Sequence, residues 1–430
     1  MAVAKTIKVD YLTRVEGEGA LTIRFKGDQP SAVQLSIFEP PRFFEAFLRT
    51  RSLFEVPDIV ARICGICPVA YQMSACHAIE DALGVRIDGQ LRALRRLLYC
   101  GEWIESHGLH AFMLHAPDFL GYPDAMTMAK DHRDWVAKGL GIKKAGNALV
   151  STLGGREIHP INVRIGGFYR VPTRGELEAL LPSLDKALAD MIAAVKWFAS
   201  FDYPDFARDY EFVALRHPDE YPFCEGRIVS SKGLDVDVHD VESALVEEHV
   251  AHSTALQAYV QGRADYFCGP LARFNLNADK LGARARDLAR EIGFEPPVKN
   301  PYRSLIARGL ELVQVLDEAM RIIRAYERPD KPTVDVVVRP GTGYGCTEAP
   351  RGILWHRYTI DEEGLISDAR IVPPTSQNQK CIEQDLWQVA PGLAKMDHAA
   401  ATRRAEQTVR NYDPCISCST HFLKLTIERE

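Results

Sequence analysis

Two stretches decide how this chain folds: Arg62-Ile63-Cys64-Gly65-Ile66-Cys67-Pro68 near its start and Asp413-Pro414-Cys415-Ile416-Ser417-Cys418-Ser419-Thr420-His421 near its end. Each holds a CxxC pair, the spacing that lets two thiolates chelate one soft metal while amides of the intervening turn face their charge. Pro68 suits the first position of a helix and predicts one running to about Leu83. The first pair then lies at the positive end of that helix, where thiolates are favoured. On the residues alone three readings stand. One is a structural four-cysteine zinc site, although such sites usually close within tens of residues and these pairs lie almost a whole chain apart. A dithiol redox pair is weaker, because neither CxxC follows a strand in a βαβ pattern. Four thiolates converging on a soft transition metal inside a large core suit the spacing best.

The rest of the chain narrows the setting. Its 430 residues are ample for a real hydrophobic core, and its 10 cysteines are too sparse for a disulfide scaffold of that size. With 52 basic against 58 acidic side chains the net charge is −6, so no basic surplus awaits a phosphate backbone and nucleic acid is not the expected partner. No apolar run approaches the roughly 20 residues of a spanning helix, and the start MAVAKTIKVDYLTRVEG lacks a signal-peptide core. A protein without a membrane span, in the cytoplasm, is the expectation.

Alternation at Ile7, Val9, Leu21, Ile23, Phe25, Val33, Leu35 and Ile37, with Gly27-Asp28 as a turn, predicts two or three antiparallel strands over 1–40. Helical spacing takes over at about 41–132. The Gly-rich segment 139–172 reads as loops, and one strong helix is expected over 173–200. Residues 202–240 read as irregular, with hairpins, and helices are expected at 241–265 and 278–328. Thr333–Arg339 reads as a strand followed by a Pro-Gly loop over 340–352. A strand pair over 353–372 and a helical segment over 378–410 follow. The class is α+β: a predominantly helical core with small antiparallel sheets. One catalytic domain, 1–430, is expected, with a sheet at 1–40, a helical core at 41–330 and a mixed region at 331–430 that completes the metal site.

The two CxxC stretches resemble the signature motifs of nickel–iron hydrogenase large subunits. Three further stretches fall in the family's order: Arg14-Val15-Glu16-Gly17, Glu348-Ala349-Pro350-Arg351-Gly352 and Ile371-Val372-Pro373-Pro374-Thr375. The resemblance therefore covers the whole chain. The wording CGICPVAYQMSA and DPCISCSTHFL is similar to the cytoplasmic, NAD(P)-coupled bidirectional branch. It implies reversible heterolytic cleavage of dihydrogen, which requires a metal, a base for the proton and an exit for electrons. By this resemblance Cys64, Cys67, Cys415 and Cys418 ligate nickel, and Cys67 and Cys418 also bridge to an iron that carries carbonyl (CO) and cyanide. Arg351 and Thr375 would donate to the cyanides, with Pro374 standing where relatives often have a hydroxyl residue.

Glu16 would take the first proton, since a carboxylate buried beside thiolates gains proton affinity. Glu18 departs from the family's usual His. Asp413 would sit behind the nickel, and Glu45 with His421 would hold a magnesium (or iron) ion. Tyr71 replaces a His common in relatives, with His77 as a possible substitute, while His107 and His110 read as core histidines. Cys76, Cys100, Cys224, Cys268, Cys346 and Cys381 show no cluster spacing and read as small buried residues. Electrons must then leave through an iron–sulfur small subunit to a diaphorase partner bearing FAD and the NAD(P) site. Gly341-Thr-Gly-Tyr-Gly-Cys346 lacks the third glycine of a dinucleotide fingerprint and reads as support for 348–351. The residues after His421 are expected to be retained. Two other classes are weighed. One is a complex I-like homologue, which the paired thiols oppose, and the other is a hydrogen-sensing protein with little turnover.

Overall fold

The computed structural model describes residues 4–38, 43–416 and 419. The N-terminal alternation forms three strands, Ala4–Val9, Gly19–Lys26 and Gln29–Ile37, antiparallel in sequence order with Ile7 opposite Ile23 and Ile23 opposite Val33. The helical body follows in Pro68–Leu83, Gly89–Leu109, Arg133–Gly154, Leu181–Ala199 and Ser304–Arg324. Their apolar faces enter one buried cluster that runs from Ile7 to Cys415, so both ends of the described chain share a core.

Several expectations fail for one reason, the meaning of glycine. Residues 139–154 are helix rather than loop. Arg133–Gly154 packs on Gly89–Leu109 and on the π-helical turn His110–His115 that continues it. A Cβ on Gly146 would stand 2.7 Å from the Glu105 nitrogen, and one on Gly139 would stand 2.5 Å from the Phe112 ring. These glycines serve close helix contact. Likewise the strand expected at Thr333–Arg339 makes a single bridge, Thr333 to Gly167, and the true strand, Gly341–Ala349, occupies the expected Pro-Gly loop. It lies on the Pro68–Leu83 helix, where a Cβ on Gly343 would come within 2.1 Å of the Ala78 carbonyl oxygen. Gly343→Ala is therefore expected to lower stability by about 1–3 kcal/mol, the usual cost of overpacking against a backbone, as read by denaturant unfolding.

Other boundaries move more modestly. The 173–200 helix divides into Arg174–Glu178, opened by a Thr173–Glu176 capping box, and Leu181–Ala199 with Pro182 in its first turn. Within 202–240, Phe212–Arg216, Arg227–Ser230 and Asp235–Val236 join a four-stranded sheet completed by Phe267–Cys268. The helix expected over 241–265 stops at Ala244. Leu245–Glu248 and Gln257–Val260 pair instead, because Val246 opposite Tyr259 and Leu245 opposite Val260 suit a ladder. Helix returns as Ala283–Glu291 and Ser304–Arg324. The pair expected over 353–372 forms as Gly352–Ile360 and Ile366–Val372, and the final helices are Pro374–Leu393 and His398–Arg410.

Candidate metal centre

The first CxxC is a tight turn closing onto the Pro68–Leu83 helix, with Cys67 at its N-cap position. The Cys64 sulfur accepts from the amides of Ile66 at 3.3 Å and Cys67 at 3.1 Å, and lies 2.7 Å from the Cys67 sulfur. The next amides of that helix, Val69 and Ala70, donate to the fully buried Glu102 at 2.5 and 3.1 Å. Burial pushes the Glu102 carboxyl well above the usual carboxylate range. Two acidic groups thus share one helix start, the thiol on its first turn and the carboxyl just behind.

The C-terminal stretch meets this turn along a short parallel bridge between Glu16 and Cys415, where the Ile416 amide donates to the Glu16 carbonyl at 2.9 Å. The Cys415 sulfur lies 3.6 Å from that of Cys64, and its thiol donates to Glu16 Oε2 at 3.0 Å. Cys64, Cys67 and Cys415 are all buried, with sulfurs within 4.8 Å of one another, close enough to share one ion. The contact is braced from behind. Arg410 donates to both oxygens of Asp118 at 2.8 Å and to the Thr13 carbonyl at 2.8 Å, Arg14 pairs with Asp118, and Thr13 bonds Glu406. Within the π-helical turn, His110 and His115 donate to the Arg410 carbonyl and to Asn411 Oδ1. π-turns recur at functional sites because they re-aim side chains.

Arg351 sits in the turn between Gly341–Ala349 and Gly352–Ile360 and is 3% exposed. Its Nε donates to the Asp413 carbonyl and its Nη2 to Asp413 Oδ1 at 3.2 Å, while its Nη1 has no hydrogen-bond partner among the described residues. Burial works against the guanidinium charge, yet Asp413 and the thiols of Cys415, Cys67 and Cys64 hold it well above the ordinary value. A buried donor left unpaired costs about 1–3 kcal/mol, so Nη1 is poised for an acceptor in the centre. Asp413 adopts a left-handed φ of 52°, a conformation Asp tolerates better than most residues. The Thr375 hydroxyl accepts from the Cys415 amide at 3.0 Å, which leaves its own proton for another partner.

The chain brings Glu16, Cys64, Cys67, Arg351, Thr375, Asp413 and Cys415 together. Cys418 and His421 lie outside the described residues. Glu45, half-buried on Phe44–Leu48, accepts from the Ile371 amide at 2.8 Å. His107 bonds Glu311 at 3.0 Å and is a buried core histidine, as is His110. The six remaining cysteines are buried, and burial raises their thiol pKa values, to about 12 at Cys76 and Cys224. Sequence reasoning missed Glu102, Arg273, Arg308 and Arg410. A signal existed for Arg308, which is fully buried and donates to Ser304 Oγ at 2.9 Å and the Asn411 carbonyl at 3.1 Å: in Leu305-Ile-Ala-Arg-Gly-Leu310 a charge sits in an apolar helix.

The model of the family described as nickel-dependent hydrogenase matches residues 42–144 and 285–421. The chain is a member of the nickel-dependent hydrogenase family. It is similar to Sulfhydrogenase 2 subunit alpha of Pyrococcus furiosus, 34% identical over 97% of this chain and 100% of that one. It is also similar to the NAD-reducing hydrogenase HoxS subunit beta of Cupriavidus necator, 24% identical over 98% and 95%. Among solved structures, an NAD+-reducing NiFe hydrogenase in the H2-reduced state superposes with a TM-score of 0.88 at 28% identity, covering 98% of this chain and 100% of that chain. The hydrogenase large-subunit fold and the α+β class anticipated from sequence are those observed. The thiol cluster lies where both matched segments of this hydrogenase converge, Cys64 and Cys67 in one and Cys415 in the other.

Proposed function

We propose that this hydrogenase large subunit cleaves dihydrogen reversibly in a cytoplasmic complex, passing electrons through an iron–sulfur small subunit to a flavin (FAD) and NAD(P)-binding diaphorase. The convergence of Cys64, Cys67 and Cys415 beside Glu16 and Arg351 Nη1, unpaired among the described residues, carries this reading. That donor set fits the implied group: soft thiolates for nickel and iron, and a fixed cationic donor for an anionic ligand such as cyanide. Cys64, Cys67, Cys415 and Cys418 would hold the nickel and an iron that carries carbonyl and cyanide. When bound, the metals supply the electron acceptor for heterolysis of the H–H bond.

The chain's own residues do the rest. Glu16 takes and returns a proton at the Cys415 sulfur. Arg351, fixed by Asp413, and Thr375 would donate to the cyanides on iron. Glu45 and His421 would hold a magnesium or iron ion near the C-terminus. Among the described residues no helix is long and apolar enough to cross a membrane. The NAD+-reducing structural relative supports the NAD(P) branch, while the sulfhydrogenase relative supports sulfur as a second electron acceptor.

Metal analysis of the purified complex tests the centre. About one nickel per chain together with iron is the expected result for a four-thiolate site, and zinc alone would overturn the assignment. Dihydrogen-dependent reduction of a dye, NAD+, NADP+ and elemental sulfur then separates the acceptors. Nickel without turnover would place the protein among hydrogen sensors.

A further inference from the structure

We propose that Arg273 is a positioning residue for hydrogen activation, holding the turn that carries Arg351. The inference rests on the reading of the centre given above and concerns residues outside it. Arg273 lies on the Pro270–Asn277 helix, is fully buried, and uses all five of its N–H donors. Nε and Nη2 grip Glu311 at 2.7 and 2.8 Å, and Nη1 donates to Glu348 Oε2 at 2.8 Å. The two remaining donors reach the Ala349 carbonyl from Nη1 and the Pro350 carbonyl from Nη2, each at 3.0 Å. These carbonyls are the two peptide oxygens immediately before Arg351.

The clamp is closed on every side. Glu348 Oε1 accepts from the Leu215 amide at 2.7 Å, and Trp103 stacks under the Arg273 guanidinium at 4.2 Å while its Nε1 donates to the Glu348 carbonyl at 3.1 Å. Gly269, at φ 116°, lets the chain pass so near that a Cβ there would stand 2.7 Å from the Arg351 carbonyl oxygen. The cluster is fully buried: burial pushes the Glu348 carboxyl up to about 7, and Glu311 also bonds His107 and Tyr221. Such a buried ionic cluster is a poor source of stability, since well-packed apolar residues commonly do as well. Its geometry instead serves placement. A planar fork bonded to two successive carbonyls sets both the height and the tilt of the turn, and with them the origin of the Arg351 side chain. Among the described residues only Asp413 holds the far end of Arg351, so an error at the turn is transmitted to Nη1.

The test uses the assembled, metal-loaded complex carrying Arg273→Lys, which keeps the charge but offers three donors in place of five. Glu348→Gln is the milder companion, retaining the Glu311 pair. Arg95→Lys is the control, a buried arginine whose fork grips Glu80 and which bonds neither Glu311, Glu348 nor the turn. Infrared bands of the diatomic ligands report the field of Arg351 independently of turnover. The expected result is a shift of the cyanide bands in Arg273→Lys and Glu348→Gln at unchanged nickel and iron content. A fall in dihydrogen-dependent dye reduction of about 10²-fold, the scale of a 1 Å misplacement, should accompany it. If Arg273→Lys does not load metal, Glu348→Gln carries the measurement alone. Unshifted bands in the metal-loaded variants, or an equal shift in Arg95→Lys, would overturn the positioning role. Wild-type complex without nickel or diatomic bands would instead defeat the proposed function itself.

Discussion

Glu16→Gln should sharply slow exchange of deuterium gas with solvent protons while nickel and iron stay bound. The amide is nearly the same shape as the carboxylate and leaves the backbone bridge between Glu16 and Cys415 in place, so the thiol cluster keeps its geometry. What it removes is the ability to accept and return a proton at the atom that lies 3.0 Å from the Cys415 sulfur. Positioned acid–base groups contribute typically about 10²–10⁴-fold, and a loss in that range is expected for exchange and for dye reduction alike. Glu16→Asp, which keeps the acid but shortens its reach, should fall between the two. Exchange at the wild-type rate in a metal-loaded Glu16→Gln complex would exclude this carboxylate from the proton path.

Cys64→Ser should fold and yet fail to retain nickel. Cys64 touches both other described thiols, at 2.7 Å for Cys67 and 3.6 Å for Cys415, so its sulfur sits at the middle of the cluster. Serine keeps the volume within one atom but replaces a soft donor by a hard one. Four-ligand soft sites bind with about 10–16 kcal/mol in all, so one ligand's share is about 3 kcal/mol, roughly a hundredfold in affinity. The fold should survive, because the buried cluster from Ile7 to Cys415 is held by apolar packing across the helical body rather than by the thiols. Metal content by mass spectrometry and secondary structure by circular dichroism check both halves. Wild-type nickel in this variant would mean that the ion sits elsewhere.

The chemistry of the site was legible in the residues because ligands are few and their spacing is strict. CxxC, a helix-starting Pro68 and a second CxxC near the end require the two ends to meet, and Cys64 and Cys415 do meet. Glu16 and Arg351 were legible only through the family's motifs, since a Glu in Val-Glu-Gly and an Arg in a Pro-Gly stretch look like surface residues when read alone. The partners that hold them were not legible at all. Asp118 with Arg410, and Arg273 with Glu311 and Glu348, join residues far apart in sequence, and no local pattern names the far partner of a buried charge.

The same division runs through the fold. Periods of two and of three to four residues located the N-terminal sheet and the long helices, because those periods report which face of an element is buried. They do not report what buries it, and that is where the reading failed. Gly139, Gly146 and Gly343 carry no side chain to reveal whether the missing Cβ serves a turn or the approach of another backbone, and the neighbouring Phe112, Glu105 and Ala78 decide for close packing. Val246 and Tyr259 form a ladder only because a hairpin sets them opposite each other. By itself the sequence determined the paired thiols, the class of fold and the meeting of the two ends. The tertiary structure decided which glycines pack, which strands pair and which buried charges hold Arg351 and Glu16 in place, because each of these depends on a neighbour brought near by folding.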